Sequence, residues 1–124
     1  RIKRDIQPVT SALDTLNRVR LVSFRYEDAY ATGHRGIEDR RYLNVVAQEF
    51  AEVFPEHVKS SGEKLPDGSD MLQVDIHPLT IYSAAAIQEL NQKLEATRAE
   101  NVALKARLEK LERLLEPKLA GGAK

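Results

Sequence analysis

Residues 78–116, PLTIYSAAAIQELNQKLEATRAENVALKARLEKLERLLE, decide how this chain is built. Read in sevens, they place Ile87, Leu94, Asn101, Leu108 and Leu115 at one core position, and Leu90, Thr97, Leu104 and Leu111 at the other. Apolar steps that alternate between three and four predict a coiled coil, in which helices bury a shared seam. At 1.5 Å per residue such a helix runs about 60 Å. One helix alone has nothing to bury that seam against, so partner helices are implied. The first turns carry a broader apolar surface, with Leu79, Ile81, Tyr82 and three alanines, and are expected to pack on a globular domain as well. Glu116-Pro117 is expected to stop the helix, because proline lacks the N–H the ladder needs, and residues 118–124 then form a flexible tail.

The residues flanking the seam bear on direction and number. In a parallel arrangement Glu100 faces Lys105 of the next helix and Arg107 faces Glu112, both attractive, whereas Lys93 meets Arg98. The balance favours parallel helices. Asn101 at a core position costs stability and serves to set register. The segment Arg107-Leu108-Glu109-Lys110-Leu111-Glu112 resembles the short trimerisation motif of coiled coils, in which an arginine stem covers the core edge while its fork pairs with a neighbouring glutamate. A core asparagine is commoner in dimers and pulls the other way. The expectation is a parallel homotrimer held through Ile87, Leu90, Leu94, Asn101, Leu104, Arg107, Leu108, Leu111, Glu112 and Leu115.

Upstream, residues 1–75 are left to make a small globular domain, near the size at which oligomerisation often supplies missing stability. Residues 76–117 are then the trimerisation helix. The chain has 124 residues, with Lys plus Arg at 19 and Asp plus Glu at 19, so its net charge argues for neither nucleic acid nor a membrane surface. The basic opening Arg1-Ile2-Lys3-Arg4 has no interleaved aromatics and reads as a solvated terminus. With no cysteine there is no disulfide framework and no thiolate metal site. No apolar run approaches a membrane span, and no signal peptide opens the chain.

Taken in order, Val9 to Arg18 reads as a helix with Val9, Ala12, Leu13 and Leu16 on one face, and Leu21 to Tyr26 alternates as a strand. Glu27 to Arg41 reads as a long loop, Tyr42 to Val46 as a strand, and Gln48 to Phe54 as a short helix ended by Pro55. Lys59 to Asp70 reads as a polar loop with a turn at Pro66-Asp67-Gly68, and Met71 to Asp75 as a third strand. The fold class expected is α+β: short strands and helices, then the long helix. His34, His57 and His77 lack ligand spacing, and neither a metal nor a cofactor is expected. Ser60-Ser61-Gly62 reads as turn chemistry, and no base stands near Ser23 in sequence.

Several segments together resemble the C-terminal intramolecular chaperone domain of phage tailspikes and tail fibres, the endosialidase-type self-cleaving chaperone. They are Arg1-Ile2-Lys3, Asp5-Ile6-Gln7-Pro8, Ala12-Leu13-Asp14-Thr15-Leu16, Val22-Ser23-Phe24-Arg25-Tyr26, Ala47-Gln48-Glu49, Val53-Phe54-Pro55-Glu56 and Val74-Asp75. Each piece is weak alone; their order and spacing span nearly the whole chain.

The resemblance implies a chaperone that trimerises, promotes folding of an upstream fibre or β-helical protein, and is released by a serine-lysine dyad that cuts once. A pre-registered trimer would speed the slow pairing of strands between chains. Lys3 aligns with the family's catalytic lysine, a residue type that serves as general base only as the neutral amine. The serine would lie two residues before Arg1, so the chain is expected to begin just past the scissile site of a longer precursor and cannot itself cut. The loop Glu27 to Arg41 would stand where family members carry a tentacle-like segment that grips the upstream fibre. A virion precursor assembled in the bacterial cytoplasm, or a bacterial surface protein, is the implied setting. The other reading from the residues is a permanent trimerisation module that anchors a fibre or adhesin without proteolysis.

Overall fold

Apolar and polar residues alternate only briefly in the first 75 positions, and the elements they form are short. The structure, a computed structural model, describes residues 2–122, with side chains through Glu116. Four helices, one 3-10 turn and four strands follow one another: α1 (Ala12–Asn17), β1 (Val22–Phe24), α2 (Asp28–Thr32), β2 (Tyr42–Asn44), α3 (Ala47–Val53), the turn Pro55–His57, β3 (Val58–Lys64), β4 (Asp70–Val74) and α4 (His77–Gly122). The class is α+β with a long C-terminal helix, as the sequence predicts. The chain divides into two compact units, residues 1–86 and 87–124, so the break falls ten residues into α4.

In the first unit β1 and β2 pair antiparallel, Val22 opposite Asn44, Ser23 opposite Leu43 and Phe24 opposite Tyr42. Strand alternation turns Val22, Phe24 and Tyr42 to a half-buried face and leaves Ser23 and Leu43 on the exposed one. Phe24 stacks on Tyr42 at 6.2 Å, and Tyr26 meets Tyr42 edge-on at 5.2 Å. The Arg41 guanidinium clips the strand, donating from Nε to Ser23 Oγ at 2.5 Å and from Nη2 to the Ser23 carbonyl at 2.8 Å.

The apolar centre is thin. Among the described residues the buried hydrophobics are Ala12, Phe50, Phe54 and Ala86. Phe50 and Phe54 lie one helical turn apart on α3 with rings 5.1 Å apart, and Tyr82 of α4 presents its ring to Phe54 at 5.0 Å in an edge contact. Leu79, Tyr82 and Ala86 recur at three and four, which is why one stripe of the first α4 turns is covered.

Four sequence readings are corrected. Helix α1 starts at Ala12, not Val9, because Ser11 takes φ 53° and ψ 34°, a left-handed conformation outside the helix, while its carbonyl accepts from Thr15 N at 3.0 Å. The expected loop 27–41 contains α2, one helical turn closed at Gly33 and back-bonded by Thr32 Oγ1 to the Asp28 carbonyl at 2.8 Å. The polar stretch after Val58 is a strand. It pairs with β4, Val58 opposite Val74 and Ser60 opposite Leu72, and reaches Lys64 opposite Asp70 across an irregularity at Gly62, whose φ of +92° a side chain would resist. The turn itself is as read: Leu65 and Ser69 close it, and Gly68 supplies the positive φ. Finally, α4 runs past Pro117 to Gly122. A proline's φ is already helical, and its cost to the helix includes the N–H it cannot donate. Residues 123–124 of the expected tail lie outside the described residues.

Among the described residues the second unit is helix α4. Every side chain from Leu90 to Glu116 is exposed.

Candidate functional site

Two features were marked by the sequence: Lys3 and the seam of α4. The segment Ile2–Thr10 has no regular structure and is exposed throughout, with Ile2 at 99% and Ile6 at 78%. Asp5 interrupts it with φ 55°. Lys3 sits in this segment and makes no hydrogen bond or ion pair among the described residues. The structure therefore places it at an accessible end of the chain and does not assemble it with a nucleophile.

The seam is different. Ile87, Leu90, Leu94, Leu104, Leu108, Leu111 and Leu115 all lie between 47 and 67% exposed, on one continuous helix. Asn101, Arg107 and Glu112 are exposed beside them. Large aliphatic side chains repeating at three and four, all open to water, are the surface a coiled-coil partner would cover. Thr80 and Ser83, which continue the same register backward into the first unit, are also exposed, whereas the stripe Leu79, Tyr82, Ala86 is covered.

Other constellations come together only in three dimensions. Asp75 accepts from His77 N at 3.0 Å through one oxygen, at the start of α4, and holds His57 Nδ1 at 3.4 Å with the other. The His77 hydrogen bond, with help from His57, keeps the Asp75 carboxyl below the usual range. On α2, His34 Nδ1 lies 2.8 Å from the Tyr30 carbonyl and its Nε2 lies 3.4 Å from both Glu63 oxygens, while its ring stacks on Tyr30 at 3.9 Å. A neutral imidazole has one N–H and serves one of these acceptors; the doubly protonated ring serves both. The Tyr30 carbonyl, the largest cause, raises the His34 pKa; burial opposes it, and Glu63 adds to the rise. Nothing in the linear spacing of His34 or His57 could have revealed these pairs, since their partners lie 29 and 18 residues away.

Ser60 and Ser61 lie in β3 and not in a turn as the sequence suggests; their hydroxyls accept from Gly62 N at 3.2 Å and Glu63 N at 3.3 Å beside the irregularity. Among the described residues no group of three or more His, Cys, Asp or Glu side chains is placed to hold a metal ion, and no helix is long and apolar enough to cross a membrane. A groove of about 490 Å³ opens between Leu21, Leu43 and Val45 of the first sheet region and Ile76 and Leu79 at the start of α4. Leu43 is 84% exposed and Leu21 74%, an apolar outer face where alternation alone would place polar residues.

The fold has a counterpart among solved structures. A crystal structure described as "a novel intramolecular chaperon" superposes with a TM-score of 0.52, covering 76% of this chain and 98% of that one at 20% identity. Residues 1–59, where most of the motifs lie, match the model of the family described as chaperone of endosialidase. That match supports, over residues 1–59, the resemblance read from the sequence. No curated protein matches the chain.

Proposed function

We propose that this chain is a trimerising intramolecular chaperone, which assembles three copies through α4, promotes folding of the protein upstream of it, and is then released by self-cleavage. The observation that carries the reading is the exposed seam: an uninterrupted helix with aliphatic side chains at heptad positions, on a chain whose first 59 residues match the chaperone of endosialidase. Parallel helices bring the upstream segments of three chains to one end, which raises their local concentration for pairing. Charge at the flanks supports parallel over antiparallel, through Glu100 with Lys105 and Arg107 with Glu112.

Cleavage is assigned to Lys3 as general base toward a serine two residues before Arg1 in a precursor that carries one. The serine hydroxyl loses its proton to the amine as its oxygen attacks the preceding carbonyl, the leaving nitrogen takes that proton as the C–N bond breaks, and water then hydrolyses the resulting ester to a carboxylic acid and the free serine hydroxyl, which separates the two segments. Light scattering on the 124-residue chain tests the trimer, and a monomeric mass at micromolar concentration would overturn it. Expression of the precursor with and without Lys3→Ala tests the cut, since equal fragmentation of both forms removes Lys3 from the mechanism. The alternative is a permanent trimerisation module without proteolysis. An uncut precursor that is nevertheless trimeric would establish that reading.

A further inference from the structure

Two neighbouring core positions in the second unit are polar. Thr97 falls at d and Asn101 at a, one turn apart on an unbroken helix, with Leu94 before them and Leu104 after. Both are exposed in the single chain, and among the described residues neither side chain has a hydrogen-bond partner. Thr15 and Thr32, by contrast, each bond back to a carbonyl four residues earlier in their own helix. In a parallel trimer the a and d side chains of three helices meet at the axis. Three threonines and three asparagines then form two layers about 6 Å apart along it, closed at either end by leucines. Polar groups enclosed in this way need partners.

A carboxamide has two N–H donors and one oxygen, and a hydroxyl has one O–H. Around a threefold axis each Asn101 can give one N–H to the oxygen of the next copy, which closes a ring. The second N–H of each copy and the three Thr97 hydroxyls remain as donors to an acceptor between the layers. A water there brings donors of its own, whereas a small anion brings none.

The charges around the layers have a matching sign. Of the flanking pairs, Lys93 at g against Arg98 at e of the next helix is the one that repels, and it brackets the Thr97 layer. Glu89 and Glu95 accompany these cations from c and b, which point away from the axis. Around Asn101 the flanking Glu100 and Lys105 balance each other. A negative charge on the axis is attracted by every Lys93 and Arg98, so it offsets the repulsion that the pairing otherwise leaves.

We propose that the trimer holds a small monovalent anion, of the size of chloride, on its axis between the Thr97 and Asn101 layers. Asn101 N–H and Thr97 O–H groups donate to it, and Lys93 and Arg98 surround it. This rests on the parallel-trimer reading and gives the same seam a ligand and a reason for its register. A helix that slips along its neighbours sets leucine against the polar layers and loses the site. The bound ion therefore favours aligned helices, which bring three upstream segments to one end.

Light scattering and melting by dichroism on the 124-residue chain test this, with sodium chloride exchanged for sodium gluconate at fixed ionic strength. Gluconate screens surface charge equally but is too large for a packed core. The expected result is a trimeric mass that melts several degrees higher in chloride, with a rise that follows chloride concentration by mass action. Thr97→Val, which keeps the side-chain shape, and Asn101→Leu should each remove that difference. The chloride NMR line should broaden with wild type and narrow again with either variant, a readout independent of stability. A trimer that melts alike in both salts overturns the inference and leaves the trimer standing. So does a chloride effect that survives both core variants and is lost in Lys93→Glu, which would put the ion on the surface. A monomeric or dimeric mass overturns the trimer and the anion site together.

Discussion

Glu49 takes two hydrogen bonds from Arg20, from Nε at 2.7 Å and from Nη2 at 2.5 Å, joining the segment after α1 to the first turn of α3. The two residues are 29 apart in sequence, and Arg18 adds a nearby reach to the Glu52 carbonyl at 3.4 Å. The clasp orients α3, which carries Phe50 and Phe54, against the rest of the first unit. Its parallel two-point geometry makes it stronger than an ordinary surface pair, although water and salt reach it.

The Arg20 hydrogen bond lowers the Glu49 pKa from its usual 4.5. A depressed acid contributes stability that is present above that usual value and is lost as pH falls through the folded one. Wild type should therefore lose its thermal advantage over Glu49→Gln as pH drops below 4.5, and the advantage should shrink at about 1 M salt. A difference that is constant from neutral pH to 3 would show that the pair does not contribute.

Phe50 is 1% exposed and anchors a centre with few other members. Phe50→Ala is expected to cost about 3–5 kcal/mol, a large share of what a unit this small can hold. Near-ultraviolet dichroism and denaturant titration of the full chain should show loss of the first unit's tertiary signal while the helical signal from α4 survives. A variant with unchanged midpoint would mean that the stability resides in the helices.

His34 links α2 to β3 through Glu63. Its pKa is raised above 6.5 by the Tyr30 carbonyl and then by Glu63. A raised histidine contributes stability fully present below its unfolded value and lost as pH rises through the folded one. The link should therefore hold at mildly acidic pH and weaken on the alkaline side of 6.5. Ring-proton titration by NMR measures this, and Glu63→Gln should bring the His34 titration down. A titration that Glu63→Gln leaves in place would exclude the contact.

Within the seam, Asn101→Leu and Leu104→Asp should act in opposite directions. Removing the polar layer should raise the melting temperature and loosen the choice of oligomer size, as core polar residues trade stability for register. A buried aspartate at Leu104 should dissociate the oligomer. Mass by light scattering and melting by dichroism distinguish the two. Equal behaviour of both variants would place the seam elsewhere.

What the sequence determined by itself is local and periodic. The heptad from Ile87 to Leu115, the α3 stop at Pro55, the turn at Pro66-Asp67-Gly68 and the alternation of Val22 and Phe24 each rest on residues within one or two turns of one another, where intrinsic geometry suffices. The family resemblance was legible for the same reason, because its motifs sit on those elements. Strand β3 was not legible: Lys59-Ser60-Ser61-Gly62-Glu63-Lys64 has no apolar alternation, and it is a strand only because β4 offers a ladder to it. Helix α2 and the start of α1 at Ala12 were likewise decided by a capping glycine and one left-handed serine. The Arg20–Glu49 clasp, the His34–Glu63 contact and the groove under Leu43 join residues far apart in the chain. Only the folded backbone brings such groups within hydrogen-bond or van der Waals reach. The tertiary structure also decided that Tyr82 and Ala86, within the first turns of α4, pack into the first unit.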